Sequence, residues 1–336
     1  MNAILVADLH LTSVVRDAYR WRLFPWLREQ LAMHQACLVI LGDLTEAKDY
    51  HSSTLVNRIV DELAALKAGV WIVPGNHDSI DHKLPYFRFL RHHNFITYHE
   101  TPFLGPFLGR NALFLPHSKD FAGWDDKLLY DAEVVFMHQT VSGAKSETGF
   151  SLEGMAADKL RGARKAKIWS GDVHVPQVVG QVEYVGSPYP VRFGDKFKPR
   201  AVLLTKGMRQ VQDLETPRFG RHSIKVFSDL TSITGMPVML PGDQAKFVVQ
   251  LRRSEFGEWE RIRKEITKTC TDSGVELCGL EVERIDEGKV QKIQKRGEGK
   301  LIVKSPAQIL GEWCAGQKLE QPIVDAGLEI LRTVAK

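Results

Sequence analysis

The sequence predicts a layered α/β fold followed by a smaller strand–helix–strand module. Three observations lead there. In the first half, short apolar runs alternate with longer stretches of helical spacing. Near Glu215 that alternation stops, and Thr216-Pro217-Arg218-Phe219-Gly220 reads as a linker. The length, 336 residues, suits two domains better than one or three. With 43% hydrophobic and 26% charged residues the composition is that of an ordinary globular protein, which excludes a disordered, collagenous or disulfide-stapled chain.

The elements follow in order. Ala3–Ala7 is a buried-strand candidate. Ala18–Met33 then reads as a helix, with Leu23, Trp26, Leu27 and Leu31 on one face. Cys37–Leu41 is the next strand, Ser53–Leu66 a helix carrying Leu55, Ile59, Leu63 and Leu66, and Val70–Val73 the third strand. Leu84–His92 reads as helical. Ala112–Leu115, Val134–Met137, Lys167–Ser170, Gln181–Val185 and Ala201–Thr205 complete the first-half strands. Beyond the linker come a strand (Phe247–Leu251), an amphipathic helix (Glu258–Asp272) and a strand (Glu281–Ile285). Lys289–Lys304 is basic, and Ala307–Cys314 and Pro322–Val334 read as two terminal helices.

Several functions are excluded early. The four cysteines (Cys37, Cys270, Cys278 and Cys314) form no C-x-x-C pair, so neither a zinc ribbon nor a redox motif is visible, and Cys37 reads as buried packing. The N-terminus lacks a basic segment and its apolar stretch is cut short by Asp8, so it is not a signal peptide. No apolar run approaches the ~20 residues a membrane-spanning helix needs. A cytoplasmic protein without a membrane partner is the expectation. A net charge of +4 is too mild to announce a nucleic-acid binder.

The chemistry lies at strand ends. The first strand runs into Asp8-Leu9-His10, the second into Gly42-Asp43 and the third into Gly75-Asn76-His77-Asp78. A later strand ends in His138, and another runs into Gly171-Asp172-Val173-His174. Ligands of layered α/β proteins bind outside the carboxyl ends of strands, so these groups are expected along one edge of one sheet. Each fragment alone is ordinary: a Gly-Asp is usually a turn, and a histidine after a strand is usually structural. The joint order is not. Mixed oxygen and nitrogen donors without thiolates suit Mn²⁺, Fe, Zn²⁺ or Mg²⁺ rather than a structural zinc. A carboxylate shared by two metals is the layout for attack on phosphorus.

These motifs resemble those of the calcineurin-like metallophosphoesterases, D-x-H, GD, GNH(D/E), H and GH-x-H, over roughly residues 1–205. Within that superfamily the chain looks most like SbcD-type DNA repair and recombination nucleases, with a length like that of phage-encoded members. The closer likeness rests on His138-Gln139-Thr140-Val141-Ser142-Gly143, Val173-His174-Val175-Pro176-Gln177, Tyr184-Val185-Gly186-Ser187-Pro188 and, more weakly, Gly327-Leu328-Glu329-Ile330-Leu331. The resemblance implies a β-sandwich flanked by helices over residues 1–210, a DNA-capping domain over 218–304 and a C-terminal helical segment over 305–336 that docks an SMC-like ATPase subunit. It implies two divalent ions, most readily Mn²⁺, with Mg²⁺ the alternative. Asp8, His10 and His174 would hold one, Asn76, His138 and Asp172 the other, and Asp43 would bridge them. His77 would stabilise the transition state or protonate the leaving oxygen, with Asp78 orienting it, and the nucleophile would be a metal-activated water. A homodimer through Tyr86, Phe87, Phe89 and Leu90 of the Leu84–His93 stretch is also implied.

Two departures stand out. The family usually has histidine where this chain has Asp172, which would harden the site toward Mn²⁺ or Mg²⁺. SbcD-type proteins often carry an aromatic and a histidine just behind the bridging aspartate, where this chain reads Leu44-Thr45-Glu46-Ala47-Lys48-Asp49-Tyr50-His51. Lys48, Tyr50 and His51 are candidates for the substrate groove, against a plain solvated helix start. Lys289, Lys292, Lys295, Arg296, Lys300 and Lys304 are candidates for phosphate contacts, as is the run Lys159, Arg161, Arg164, Lys165 and Lys167, against a surface helix face. Competing readings are a phosphatase or cyclic-nucleotide phosphodiesterase, or a non-catalytic DNA-binding subunit. The protein-phosphatase GDxVDRG arginine is missing from Gly42–Lys48.

Overall fold

The parity of the first strand sets the layering. In β1 (Asn2–Val6) side chains alternate between two faces, as the two-residue period of a strand requires. Ile4 and Val6 pack with Phe24, Leu27, Ile59 and Leu63 of two helices, whereas Ala3 and Leu5 pack with Phe107, Phe114, Phe136 and Trp169 of a second sheet. Both faces are apolar because both are covered. The computed structural model describes residues 2–79, 84–121, 123–205, 207–228 and 238–285.

After β1 come α1 (Leu23–His34), β2 (Ala36–Leu41), α2 (Ser53–Ala65), β3 (Val70–Val73) and β4 (Ile96–Tyr98). Then follow β5 (Phe103–Phe107), β6 (Arg110–Leu115), α3 (Asp126–Asp131), β7 (Val134–His138), β8 (Lys167–Gly171), β9 (Gln177–Val179) and β10 (Val182–Tyr184). β11 (Ala201–Thr205) and β12 (Gln210–Leu214) close the first part, and β13 (Arg221–Phe227), β14 (Gln244–Arg252), α4 (Trp259–Asp272) and β15 (Glu276–Ile285) form the second. Strand order is β12-β11-β1-β2-β3-β4 in one sheet, β5-β6-β7-β8-β10-β9 in the other and β13-β14-β15 in the third. β1 to β4 are mutually parallel, as are β6, β7 and β8, so their carboxyl ends line up within each sheet. The outer face of the second sheet buries Leu113, Val135, Met137 and Ile168 against Leu129 of α3 and Leu160. The result is a mixed α/β sandwich of two six-stranded sheets with helices outside both.

The third sheet is parallel throughout, and one face is covered by α4 through Ile262, Ile266 and Cys270. Its first two strands join the first part by polar contacts. Arg221 reaches Tyr19 Oη at 3.2 Å and the Val191 carbonyl, and Gln244 Nε2 donates to the Arg16 carbonyl at 2.6 Å.

Several elements differ from the sequence expectation. The Ala18–Met33 helix is a 3₁₀ segment, Val15–Arg22, that gives way to α1. Pro25 lies in the first turn of α1, where its missing N–H costs nothing, whereas a helix running on from Ala18 would lose a bond there. Leu84–His92 is a 3₁₀ segment over Tyr86–His92. β13 was not expected, because only Ile224 and Val226 of its side chains are buried and apolar. β4, β5, β9 and β12 are edge strands of three to five residues, too short to stand out. The basic run from Lys289 and the helices expected over 305–336 lie outside the described residues.

Candidate metal centre

Five strand ends converge, but not on one sheet. Asp8 and His10 follow β1, Asp43 follows β2, and Asn76 and His77 follow β3 of the first sheet, whereas His138 ends β7 and Asp172 and His174 follow β8 of the second. This corrects the single-edge expectation: the cluster forms where the carboxyl ends of two facing sheets meet. Close approach is a matter of glycine. A Cβ on Gly42 would collide with the His138 ring, and one on Gly75 with the Asp43 carboxylate.

The backbone is bent hard to aim these groups. Asp8 (φ 56°), His10 (φ 44°), Asp43 (φ 53°) and Asp172 (φ 79°) all occupy the left-handed region that non-glycine residues avoid. Hydrogen bonds hold them there. Asp8 N donates to the Gly42 carbonyl at 3.1 Å and His10 N to the Asp43 carbonyl at 2.9 Å. Asp172 N donates to Asp8 Oδ1 and His77 N to Asp43 Oδ1, both at 2.9 Å. Asp78 is not placed to orient His77: its buried carboxylate accepts from Leu44 N at 2.9 Å and Gly75 N at 2.8 Å, tying two ligand loops together. Burial, then the neighbouring Asp43 charge, pushes its pKa up to about 6.

Two sets of donors form. In the first, His10 Nε2 and His174 Nε2 face each other at 3.1 Å, Asp8 is beside them, and Asp43 Oδ2 is 3.6 Å from His10. In the second, His138 Nε2 faces Asp43 Oδ1 at 3.3 Å, Asn76 Oδ1 at 3.3 Å and Asp172 Oδ1 at 3.6 Å. The tautomer of His138 is decisive. Its Nδ1 is 2.7 Å from the Leu41 carbonyl, which can only accept, so Nδ1 carries the proton. In the neutral ring Nε2 is then a lone pair among three oxygen acceptors, an arrangement that needs a cation at its centre. Asp8 Oδ2, fully buried, has no hydrogen-bond partner either. Two nitrogens in adjacent positions on one ion, each about 2.1 Å away, stand about 3 Å apart, as those of His10 and His174 do. The donors therefore fit two ions sharing Asp43.

Electrostatics agree. Burial raises the pKa of Asp8, and the imidazoles only partly offset it. Burial opposes charge on His138, yet Asp43, Asp172 and Asp8 raise its pKa well above the ordinary value, so the three carboxylates favour positive charge at this point. Burial also opposes charge on Asp172, but His138 and the Thr140 hydroxyl, 2.6 Å away, hold its carboxylate well below the usual range.

A family model described as calcineurin-like phosphoesterase matches residues 1–204. The chain belongs to the calcineurin-like phosphoesterase family. The family depends on a pair of metal ions and implies a metal-dependent phosphoester hydrolase. One similar solved structure, that of a novel archaeal phosphodiesterase, is 12% identical with a TM-score of 0.37, covering 64% of this chain and 99% of that one. Another, the protein of unknown function AQ665 from Aquifex aeolicus, is 13% identical with a TM-score of 0.29, covering 55% of this chain and 89% of that one. No curated protein matches. Among the described residues no helix is long and apolar enough to cross a membrane.

In this calcineurin-like phosphoesterase the seven expected ligands come together, and His77 stands beside them at the rim, its ring 5.0 Å from that of His10. His77 Nδ1 is 2.6 Å from the Glu46 carbonyl, so its other ring nitrogen remains available to the cavity. Lys48, Tyr50 and His51 do not line that cavity. Tyr50 is 86% exposed, and His51 is turned onto Thr45 Oγ1 at 2.8 Å and the Tyr86 ring at 4.1 Å. The cavity is lined instead by residues not anticipated: Glu46, Ser146, Glu147, Leu152 and Arg192. Glu46 was visible only as a departure from the pattern behind Asp43, and nothing in the local sequence marks Glu147 or Arg192.

Proposed function

We propose that this phosphoesterase is a dinuclear, Mn²⁺-dependent DNA nuclease, the catalytic subunit of an SbcCD-type complex with an SMC-like ATPase. The observation that carries the reading is the pair of donor sets sharing Asp43 with His77 at the rim, joined to the sequence stretches that resemble SbcD-type nucleases. Bound ions would neutralise phosphate charge and lower the pKa of a water at the site. The chain does the rest. Asp8, His10, Asp43, Asn76, His138, Asp172 and His174 fix the reaction centre. His77 gives a proton to the leaving oxygen as the P–O bond breaks. The oxygen-rich second set, with Asp43, Asn76 and Asp172, favours Mn²⁺ or Mg²⁺ over Zn²⁺.

Exposed Phe89 (42%) and Phe95 (60%) suit a homodimer contact, whereas Phe87 and Leu90 of the expected surface are buried in the core. A cytoplasmic location follows from the proposed role. The test is cleavage of labelled single- and double-stranded DNA with Mn²⁺ or Mg²⁺, with and without the ATPase, using His77→Ala as control. Mn²⁺-dependent cleavage lost in the variant supports the proposal. Intact DNA beside efficient hydrolysis of phosphomonoesters or cyclic nucleotides would overturn it in favour of those substrates.

A further inference from the structure

The two donor sets are backed differently. Behind the first, a carboxylate stands at the far nitrogen of each imidazole: Glu147 Oε1 is 2.7 Å from His174 Nδ1, and Glu46 Oε2 is 3.1 Å from His10 Nδ1. Both contacts are within ion-pair distance, so each carboxylate stands beside the outer nitrogen of its imidazole. Behind the second, His138 has a neutral carbonyl, that of Leu41. A histidine ligand whose other N–H faces a carboxylate is fixed in tautomer and made a stronger donor.

Glu147 reaches His174 from the 141–155 loop, which Val141, Ala144 and Met155 anchor in the core. Bridges Val141–Met155 and Lys145–Ser151 shape residues 141–155, with Gly149 (φ 84°) at the turn. Gln177, three residues beyond His174, accepts from Lys145 N at 2.8 Å and donates to the Lys145 carbonyl at 2.7 Å. The loop is thus pinned on one side by Gln177 and on the other by the pairing of Glu147 with His174.

We propose that Glu147 is a positioning residue for His174, paralleled by Glu46 behind His10, and that this backing makes the His10–His174 set the tighter of the two metal positions. The inference rests on the dinuclear part of the proposed function and not on the substrate. It deepens that part by making the two positions unequal and by coupling the first to the seating of the 141–155 loop.

The test is metal binding by the full-length chain, stripped of metal and titrated with Mn²⁺ under electron paramagnetic resonance, with Co²⁺ absorption as a second readout. In the wild type, two ions should bind in two steps. Glu147→Ala should weaken the tighter step about 10- to 100-fold, leave the other step unchanged and alter the Co²⁺ spectrum. Glu147→Gln, which keeps an acceptor for Nδ1–H, should recover part of the loss. Unchanged steps in Glu147→Ala, an effect confined to the weaker step, or equal weakening of both would overturn the positioning role. A wild-type chain that binds no Mn²⁺ would overturn the dinuclear reading itself, and DNA-cleavage results would leave the positioning role untouched.

Discussion

Asp43 and Asp243 are both buried carboxylates, and their surroundings are opposite. Asp243, in the three-stranded module, receives both Arg218 guanidinium arms at 2.9 Å, His222 Nε2 at 3.1 Å, and the backbone N–H groups of Leu240 and Gly220. The chain itself supplies its countercharge. Asp43 shares its pocket with Asp8 and Asp172, and among the described residues none of the three pairs with a lysine or arginine, only with imidazoles. The backbone shows the same division. Four residues of the metal edge have a left-handed φ, whereas no non-glycine residue among those described from 209 to 285 does. A saturated buried carboxylate holds structure together, and an unsaturated one held by bent backbone awaits a cation.

The sharpest way to break this contrast is Asp43→Ala. It should bring bound metal below two ions per chain and hydrolysis to background. The rise in melting temperature that added Mn²⁺ gives the wild type should shrink or vanish, because an ion that binds only the folded state stabilises it by mass action. Metal analysis and thermal melts with and without Mn²⁺ check both. If the variant still holds two ions, Asp43 is not shared. His77→Ala should act on turnover alone, lowering kcat about 10²- to 10⁴-fold with metal content kept. Parallel loss of metal would move His77 into the ligand set.

Asp243→Ala should behave in the reverse way. Removing the buried carboxylate leaves the Gly220 and Leu240 N–H groups and His222 unmatched, while half-exposed Arg218 turns to water, which should cost on the order of 2 kcal/mol in urea unfolding. Metal stoichiometry should not change. His99 is a third case, buried with no countercharge among the described residues. It stacks on Phe103 and Phe114 at centroid distances of 4.9 and 4.2 Å, its Nε2 has no partner, and burial pushes its pKa down to about 4. Because the folded pKa is depressed, the unfolded chain takes up the proton first. Stability is therefore fully present above about pH 6.5 and is lost as pH falls toward about 4, by on the order of 3 kcal/mol. His99→Phe should flatten that part of the stability–pH curve measured by denaturant unfolding, and an unchanged slope would assign it elsewhere.

Much of this was legible in the sequence. Runs such as Cys37–Leu41 and Val70–Val73 are short, apolar on both faces and followed within three residues by glycine and an aspartate or asparagine, so strand and ligand are legible together. Glu147 and Arg192 were not legible, since they sit in loops whose neighbours in space are 27 and 18 residues away in the chain, at His174. β13 was hidden because only Ile224 and Val226 of its seven side chains are buried and apolar.

By itself the sequence determined the chemical inventory: which carboxylates and imidazoles stand at strand ends, that thiolates are absent from them, and that the family's metal pair is expected. Local patterning carries that information because a strand and the turn after it are consecutive in the chain. Tertiary structure alone decided that the ligands come from two sheets, that Asp78 ties loops instead of orienting His77, that His51 turns away, and that a carboxylate stands behind His10 and His174 while a carbonyl stands behind His138. Those features depend on how distant segments pack, and the close approach at Gly42 and Gly75 that brings them together is a property of the folded pair of sheets, not of any one segment.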